Sequence, residues 1–155
     1  MPSFSQWIQN THIRSATESL LNGIQRARAE AVTRNVTVTF TVSGDDFWTV
    51  TDTALDQVIE SRPLSEIPAS VTITVSPAPI PPATAPTTLT FNNLGIRDAN
   101  TDPSEPIAAM AIDVDSSALA EDDSRNLRII IGAGGIARMC DPNPAIEETD
   151  PRYCP

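Results

Sequence analysis

The sequence predicts an α+β protein in which one long amphipathic N-terminal helix packs on antiparallel β-sheets. The body is expected to be sandwich-like and to end in a C-terminal loop closed by a disulfide. Three observations support this prediction. Apolar residues recur at helical spacing between Ser5 and Arg34, the hydrophobic period changes from 3.6 to 2 beyond Asn35, and both cysteines lie in the last sixteen residues. At 155 residues the chain has the size of one domain.

The helical segment contains no proline and a single glycine between Ser5 and Arg34. Three pairs of opposite charge at i and i+4 are expected to support its solvent-facing side, and Asn35 is predicted to end it. These pairs are Arg14 with Glu18, Arg26 with Glu30, and Glu30 with Arg34. The predicted buried face consists of residues spaced three or four apart: Ile13, Ala16, Leu20, Ile24, Ala27 and Ala31.

The predicted helix is too long to be covered over its whole length by one compact domain. At 1.5 Å per residue it extends about 45 Å, which exceeds the diameter of a compact domain of this size. Part of it is therefore expected to project, at the N-terminal end, where Phe4, Trp7 and Ile8 precede the regular stripe. Bulky apolar side chains on a projecting end indicate a partner or a continuation of the helix. The alternative is that these side chains fold back onto the same domain.

Strands are predicted for most of the remaining chain. Valine and phenylalanine alternate with threonine over 36–42, and a turn at 44–46 leads into a second strand at 47–51, which predicts a hairpin. The proline-rich segment 76–86 and the acidic segment 98–106 are predicted connectors, and a ligand for a proline-recognition domain is the alternative interpretation of the first. Further strands are predicted at 57–62, 71–76, 87–91, 107–114 and 127–132, and again through Arg138 and Met139.

The charge balance argues against a general nucleic-acid or lipid-binding protein. Twenty acidic residues face ten arginines and no lysine, which gives a formal net charge of −10. Such a field repels nucleic acid and anionic lipid overall. A local basic patch is still compatible with it, because salt screens exposed charges beyond about 10 Å.

The two cysteines, Cys140 and Cys154, favour one local disulfide, which persists in an oxidising compartment such as a periplasm. Two free thiols in a cytosolic protein are the alternative. A metal site is disfavoured because two thiolates do not complete a tetrahedral site and the only histidine, His12, is distant in sequence. With no signal peptide and no run of eighteen apolar residues, the chain as it stands is expected to be soluble. A secreted protein needs an export signal, so either the disulfide assignment is wrong or the natural start of the protein has been removed.

No group of residues has the pattern of a catalytic, cofactor or metal site. His12 is predicted to be a surface residue, and no nucleophile motif accompanies it. The segment 113–123 has oxygen ligands but lacks the central glycine and closing glutamate of a calcium-binding EF-hand loop. Gly132, Gly134 and Gly135 precede a strand rather than the helix that a phosphate-binding loop requires. The sequence therefore predicts no enzyme, no cofactor and no small-molecule substrate.

Residues 2–35 resemble the region just past the membrane-embedded segment of minor pilins of the FimT, FimU and GspH group. The C-terminus is independently similar: a glycine-rich turn leads to Arg138-Met139-Cys140-Asp141, and the chain closes with 150–154, DPRYC. The N-terminal resemblance is carried by Pro2, Phe4, Asn10, Arg14, Glu18, Leu21, Gly23, the ARAEA run at 27–31, and Arg34-Asn35.

The resemblance implies a pilin fold with two parts: residues 1–35 as the exposed half of a longer helix, and residues 36–155 as the β-rich body. It also implies that a missing hydrophobic half anchors the full-length protein in the inner membrane, with the body in the periplasm before assembly and in the pilus afterwards. Other minor pilins and the major pilin are the implied partners. The expected subunit-interface residues are Phe4, Trp7, Ile8 and Thr11.

The resemblance also separates three possible functions. FimU-like members join or prime pilus subunits, GspH-like members do the analogous work in type II secretion, and FimT-like members bind DNA for uptake through a GRxR motif. The matching positions here read Gly135-Ile136-Ala137-Arg138, so one of the two arginines is replaced by isoleucine. The resemblance therefore favours a structural, FimU-like role over DNA binding, for which the candidate residues are Arg138, Arg152 and Arg128.

Overall fold

The computed structural model describes residues 3–43, 46–77, 88–98 and 110–155. Several sequence predictions therefore fall outside the described residues. They are Pro2, the first two residues of the predicted turn at 44–46, most of the proline-rich segment, the first residue of the strand predicted at 87–91, most of the acidic segment 98–106, and the first three residues of the strand predicted at 107–114.

The long helix α1 runs from Phe4 to Arg34. It begins one residue before the predicted start because Ser3 and Gln6 form a capping box, in which Ser3 Oγ accepts from the Gln6 N–H and Gln6 Oε1 accepts from the Ser3 N–H. It ends as predicted at Asn35, whose backbone is left-handed (φ 57°, ψ 42°) and whose N–H donates to the carbonyls of Ala31 and Val32. The three predicted ion pairs are confirmed.

The strands form two separate antiparallel sheets. One has the order β3-β2-β1-β5-β6 and the other β4-β7-β8-β9. Among the described residues the strand bounds are β1 (Val38–Thr41), β2 (Asp46–Asp52), β3 (Gln57–Pro63), β4 (Val71–Pro77), β5 (Thr88–Phe91), β6 (Arg97–Asp98), β7 (Met110–Ser116), β8 (Leu127–Ile131) and β9 (Ala137–Cys140).

The differences from the predicted strands are small. The β1–β2 hairpin is confirmed, with Val38 opposite Asp52 and Thr41 opposite Thr49, although β1 is shorter than 36–42. The two-residue strand β6 was not predicted, because two residues show no alternation. Strand β7 continues to Ser116, two residues past the predicted end, because it stays paired with β4 as far as Val71.

The core lies between the inner side of α1 and both sheets. All six residues of the predicted helical stripe are buried, and Thr17 and Gly23 join them. Thr17 is accommodated because its Oγ1 donates to the Ile13 carbonyl at 2.7 Å. The β residues of the core come from both sheets, chiefly Val38, Phe40, Phe47, Trp48, Val50, Leu89, Phe91, Met110, Ile112, Val114, Ile129 and Ile131.

His12 lies on the side of α1 next to this buried face. It is half-buried, and its Nδ1 is buried with no hydrogen-bond partner in the described part of the chain. The prediction that His12 is a surface residue is therefore only partly correct. His12 directly precedes the buried Ile13, so the helical periodicity places it at the edge of the buried face, where it is half-buried.

Candidate subunit interface

The first turns of α1 carry an exposed aromatic pair. The side chains of Phe4 and Trp7 are 75% and 63% exposed, and their rings stack with centroids 5.9 Å apart and planes inclined by 26°. A stacked pair of this kind holds its own geometry while leaving most of its apolar surface in water. In this structure the side chains of Phe4 and Trp7 do not fold back onto the body, as the projecting alternative expects, whereas Ile8 is half-buried.

The other two predicted interface residues are less prominent. Thr11 is exposed, but its Oγ1 donates to the Trp7 carbonyl at 2.9 Å and so remains on the helix surface. Ile8 is half-buried. The structure thus places Trp7 and Thr11 on one face of the helix start, one turn apart, with Phe4 stacked on Trp7.

Two adjacent amide side chains attach this helix start to the body. Gln9 Oε1 accepts from Ser70 Oγ at 2.7 Å and from Ser116 Oγ at 3.2 Å, both at the end of the β4–β7 pair where Val71 lies opposite Ser116. Asn10 donates to the Asp123 carbonyl at 3.2 Å and accepts from the Arg125 N–H at 2.8 Å. These contacts fix the direction in which Phe4 and Trp7 project.

We expect Asn10→Ala to lower the free energy of unfolding by about 1 kcal/mol, the usual net value of a surface hydrogen-bonding side chain. The Arg125 amide should also exchange faster with solvent, because it loses its acceptor. Urea unfolding and amide exchange measure the two effects. Asn22→Ala is the matched control, since Asn22 is exposed on the same helix and has no hydrogen bond in the described structure. An equal loss in both variants would contradict the assignment.

A cleft of about 1080 Å³ separates the helix start from the C-terminal tail. Its helix side consists of Gln6, Trp7, Asn10, Thr11 and Arg14. The opposite side consists of Asp122, Asp123, Arg125, Leu127, Met139, Cys140, Asp141, Pro151 and Arg152. The cleft therefore has an aromatic wall with mixed charges around it, and both of its walls are regions that the sequence singled out.

The predicted disulfide between Cys140 and Cys154 is present, with Cα atoms 5.2 Å apart. Beside it the Asp141 N–H donates to the Arg152 carbonyl at 2.7 Å, and Asp141 bridges Tyr153 in a parallel arrangement. The last residues are thereby folded back against the end of β9. Because the tail supplies one wall of the cleft, the disulfide shapes this surface as well as closing the chain.

The three arginines proposed for DNA binding each have an acceptor within the protein. Arg128 makes two hydrogen bonds to Asp113, at 2.6 and 3.2 Å. Arg138 donates to the Tyr153 carbonyl at 3.0 Å. Arg152 makes two hydrogen bonds to the Asp150 carboxylate, at 3.1 and 2.8 Å. Arg128 and Arg138 share one face of the sheet, but Arg128 and Arg152 are neutralised by adjacent carboxylates, which weakens any attraction for phosphate.

The Arg152 side chain, hydrogen-bonded to Asp150, lowers the pKa of that carboxyl from 3.8 to about 2. A lowered pKa means that the pair stabilises the tail above pH 3.8 and loses this contribution as the pH falls through about 2. We expect the carboxyl resonance of Asp150 to titrate near the lower value and to return toward 3.8 in Arg152→Ala. A wild-type midpoint near 3.8 would contradict the pairing. Arg152 is exposed and Asp150 half-buried at the surface, so acidification should loosen the tail more than it lowers the stability of the whole domain.

Sequence reasoning missed several residues of this surface, some of which carry a recognisable signal and some of which do not. Ser3 and Gln6 have the S-x-x-Q spacing of a capping box, which is a readable signal. Gln9 has no such signal, because its partners Ser70 and Ser116 are distant in sequence. Among the described residues, no cluster of three or more His, Cys, Asp or Glu side chains has the geometry to bind a metal ion.

The described helical part of the chain includes no segment long and apolar enough to span a membrane. No curated protein sequence matches the chain. Two crystal structures of the type IV minor pilin FimU from Pseudomonas aeruginosa PAO1 share its fold at 17% identity. The match to one of them has a TM-score of 0.59 and covers 88% of this chain and 97% of the FimU chain in that structure. The other has a TM-score of 0.56, with coverage of 84% and 97%.

The family model described as type II transport protein GspH matches residues 16–135, from the buried face of α1 to the turn before β9. That match covers well over half of the chain, and the fold is that of a minor pilin. The chain therefore belongs to the GspH family of minor pilins and pseudopilins.

Proposed function

We propose that this protein is a structural minor pilin of a type IV pilus, which joins or primes subunits through protein–protein contacts. The observation that carries the proposal is the exposed Phe4–Trp7 pair on a helix start held rigidly by Gln9 and Asn10. Rigid aromatic side chains are the residues that most often contribute binding energy at protein interfaces. The GspH family is a family of structural pilins and pseudopilins, so the same reasoning leads us to propose no catalytic role.

The family further supports a proposal for the cellular setting. Residues 1–35 are the exposed half of a helix whose hydrophobic half anchors the full-length protein in the inner membrane, and residues 36–155 are the body. The body resides in the periplasm before assembly and in the pilus afterwards. Other minor pilins and the major pilin are the partners.

Association with other minor pilin domains tests the central proposal. Soluble domains are mixed pairwise and their affinity is measured by calorimetry, followed by co-purification of the full-length proteins from membranes. We expect at least one partner to bind, and Trp7→Ser to weaken that binding. Leu55→Ser is the matched control, because Leu55 is similarly exposed but lies in the β2–β3 turn. Absence of binding to every minor pilin, also in the full-length context, contradicts the proposal.

The match to the GspH model favours one second candidate, a minor pseudopilin of a type II secretion system. The contacts would be of the same kind, but the assembled structure would be a pseudopilus. Deletion of the gene separates the two candidates. A strain that loses pili but still secretes its type II substrates supports the pilus, and the opposite phenotype supports the secretion system.

DNA binding is the alternative that we expect to fail. A gel-shift titration should show no retardation at physiological ionic strength, because the chain is strongly acidic and Arg128 and Arg152 are paired with carboxylates. Retardation that disappears in Arg138→Ala would instead support a DNA-binding role. Arg62→Ala is the matched control, since Arg62 is an exposed arginine on β3, remote in sequence from the tail.

A further inference from the structure

The two sheets have four outer strands, β3 and β6 in one sheet and β4 and β9 in the other. The free side of an outer strand carries backbone N–H and C=O groups to which another extended chain can pair. Proteins usually block such edges with irregular pairing, charged residues, proline, very short strands or a covering segment. In the described structure three of the four outer strands are blocked in one of these ways.

Each blocked strand uses a different device. Strand β3 carries Glu60 and Arg62, ends at Pro63, and shifts its register against β2. Strand β6 has only two residues. At β9 the disulfide and the hydrogen bond from the Asp141 N–H to the Arg152 carbonyl hold the tail against the end of the strand.

Strand β4 lacks these devices. Its sequence is VTITVSP, without a charged residue and with proline only at the last position. It pairs with β7 without a register shift, from Val71 opposite Ser116 to Pro77 opposite Met110. Among the described strands β7 is its only neighbour. A regular, uncharged outer strand of this kind is an open edge, which we call the β4 edge.

Two backbone hydrogen bonds at the start of β4 indicate which residues face the open side. The Ser70 carbonyl accepts from the Ser117 N–H at 2.8 Å, so Ser70 faces the β7 side. The Val71 N–H donates instead to the Pro68 carbonyl at 2.9 Å, away from β7. Successive residues of a strand direct their backbone groups to opposite sides. The odd-numbered residues of β4 therefore face the open side.

Ile73 and Val75 are thus expected to direct both their N–H and their C=O groups to the open side. Their side chains are half-buried and pack against the core, whereas Thr72 and Thr74 are exposed. A further strand beside β4 would complete the cover of the two apolar side chains. The occupant that fits is an extended backbone with apolar side chains on the core side and polar ones on the threonine side.

The charges near β4 narrow the chemistry of this occupant. Asp115 and Asp113 of β7 lie opposite Thr72 and Thr74. Asp113 is paired with Arg128, whereas Asp115 has no cationic partner in the described structure. The whole chain carries a net charge of −10. An acidic segment is therefore repelled, and neutral or basic residues on the threonine side are favoured.

The β4 edge begins beside the candidate subunit interface. Ser70 directly precedes β4, and its Oγ donates to Gln9 Oε1 at 2.7 Å. Gln9 lies two residues beyond Trp7 on α1. A subunit that contacts the helix start therefore lies close to the β4 edge as well.

We propose that the β4 edge binds an extended, non-acidic segment of another pilin subunit, which adds to the four-stranded sheet as a fifth strand. The backbone groups of Ile73 and Val75 supply the hydrogen bonds. The inference rests on the proposed function only for the source of the segment. It adds a second contact surface with a binding mode different from that of the aromatic pair.

Amide exchange of the free protein tests whether the edge is open. The N–H groups of Ile73 and Val75 should exchange fast, and those of Thr72 and Thr74 slowly, because only the latter two face β7. Slow exchange at all four positions would mean that another part of the chain already covers the edge. That result would overturn the proposal.

A synthetic peptide tests the binding mode without any pilin partner. The probe has seven residues, with valine alternating with lysine and threonine, and it should slow the exchange of Ile73 and Val75 at least tenfold. Methylation of one alternate set of peptide amides should abolish this effect, and methylation of the other set should preserve it, because only one set faces β4. No protection, or equal binding of both methylated forms, would overturn the proposal.

Val75→Pro tests the same edge from the protein side. It removes an outward N–H and leaves the pairing with β7 intact, so folding is retained and is checked by circular dichroism. We expect the peptide and the partner subunit to bind about tenfold more weakly, because backbone hydrogen bonds are lost. Val75→Thr is the matched control, since it keeps the N–H and a β-branched side chain, and it should bind normally.

The outcomes separate this proposal from the proposed function. If binding of other pilins depends on Trp7 but not on Val75, the β4 edge is refuted and the proposed function stands. If no pilin binds, the proposed function fails, while the peptide still tests the edge. A dimer of this chain in sedimentation velocity that is lost in Val75→Pro would assign the edge to a second copy and overturn the proposed occupant.

Discussion

Gly23→Val is expected to lower the free energy of unfolding by about 3 kcal/mol, the upper end of the usual cost of overpacking a core. Gly23 lies in the middle of α1, where glycine is ordinarily unfavourable by about 1 kcal/mol relative to alanine. Its presence there is explained by packing. A Cβ at this position would lie 2.7 Å from Phe40 Cε2 and 2.9 Å from Trp48 Cδ2.

Both rings are packed in the core. Phe40 is fully buried and Trp48 nearly so, their centroids are 5.9 Å apart, and Trp48 Nε1 donates to Ser19 Oγ at 3.1 Å. A side chain at position 23 therefore has to push α1 away from the β1–β2 hairpin. Because the helix is one rigid element in contact with both sheets, that displacement loosens packing on both of them.

Chemical denaturation of Gly23→Val, beside Asn22→Val, measures the effect. The control places the same β-branched side chain at the neighbouring, exposed position, where only a few tenths of a kcal/mol are expected. Gly23→Ala combined with Phe40→Leu adds a second check, since the smaller residue at position 40 should relieve part of the clash. Equal stability of Gly23→Val and the wild type would show that the helix does not pack this closely.

Loss of the Cys140–Cys154 disulfide is expected to cost about 2–4 kcal/mol and to release the chain beyond β9. The bond closes a loop with a sequence separation of 14, for which the loss of chain entropy in the unfolded state predicts about 3 kcal/mol. Beyond Cys140 no tail residue is buried, so little apolar contact holds 141–155 once the bond is broken. The bridge between Asp141 and Tyr153 alone is too weak to keep it in place.

The double variant Cys140→Ser/Cys154→Ser, compared with the oxidised protein by denaturation and amide exchange, measures this loss. Exchange should accelerate in the tail and at the end of β9, while the β1–β2 hairpin stays protected. Because the tail forms one wall of the cleft, Trp7 should also become more accessible to quenchers. Two reactive thiols in the native protein would refute the bond, and unchanged stability would show that the tail is held by other contacts.

Much of this fold could be predicted from the sequence because its strongest signals are local. The spacing of Ile13, Ala16, Leu20 and Ile24 gives the buried face of α1, and Asn35 ends the helix through its own backbone preference. The alternation around Phe40 predicts the first hairpin. Strand β6 gave no signal, because two residues cannot establish a period.

In the candidate interface, too, the sequence identifies the residues that carry a local signal and misses those whose partners are distant in the chain. Phe4 and Trp7 could be identified because bulky apolar residues precede the helical stripe, and Cys140 and Cys154 because they are the only cysteines. The grouping of the exposed residues Val32, Leu94 and Ile136 near the C-terminal end of α1 could not be predicted, because they belong to three segments that are far apart in the chain. The partners of Gln9 are hidden for the same reason.

The sequence by itself determined the family and the elements: a helix longer than the diameter of a compact domain of this size, the short strands after it, and the covalently closed tail. The tertiary structure alone decided how the strands divide into two sheets and why residue 23 has to be glycine. It also decided which apolar residues remain exposed at the two ends of α1. The physical reason is that periodicity and capping act over a few residues, whereas burial and close packing depend on which distant segments meet.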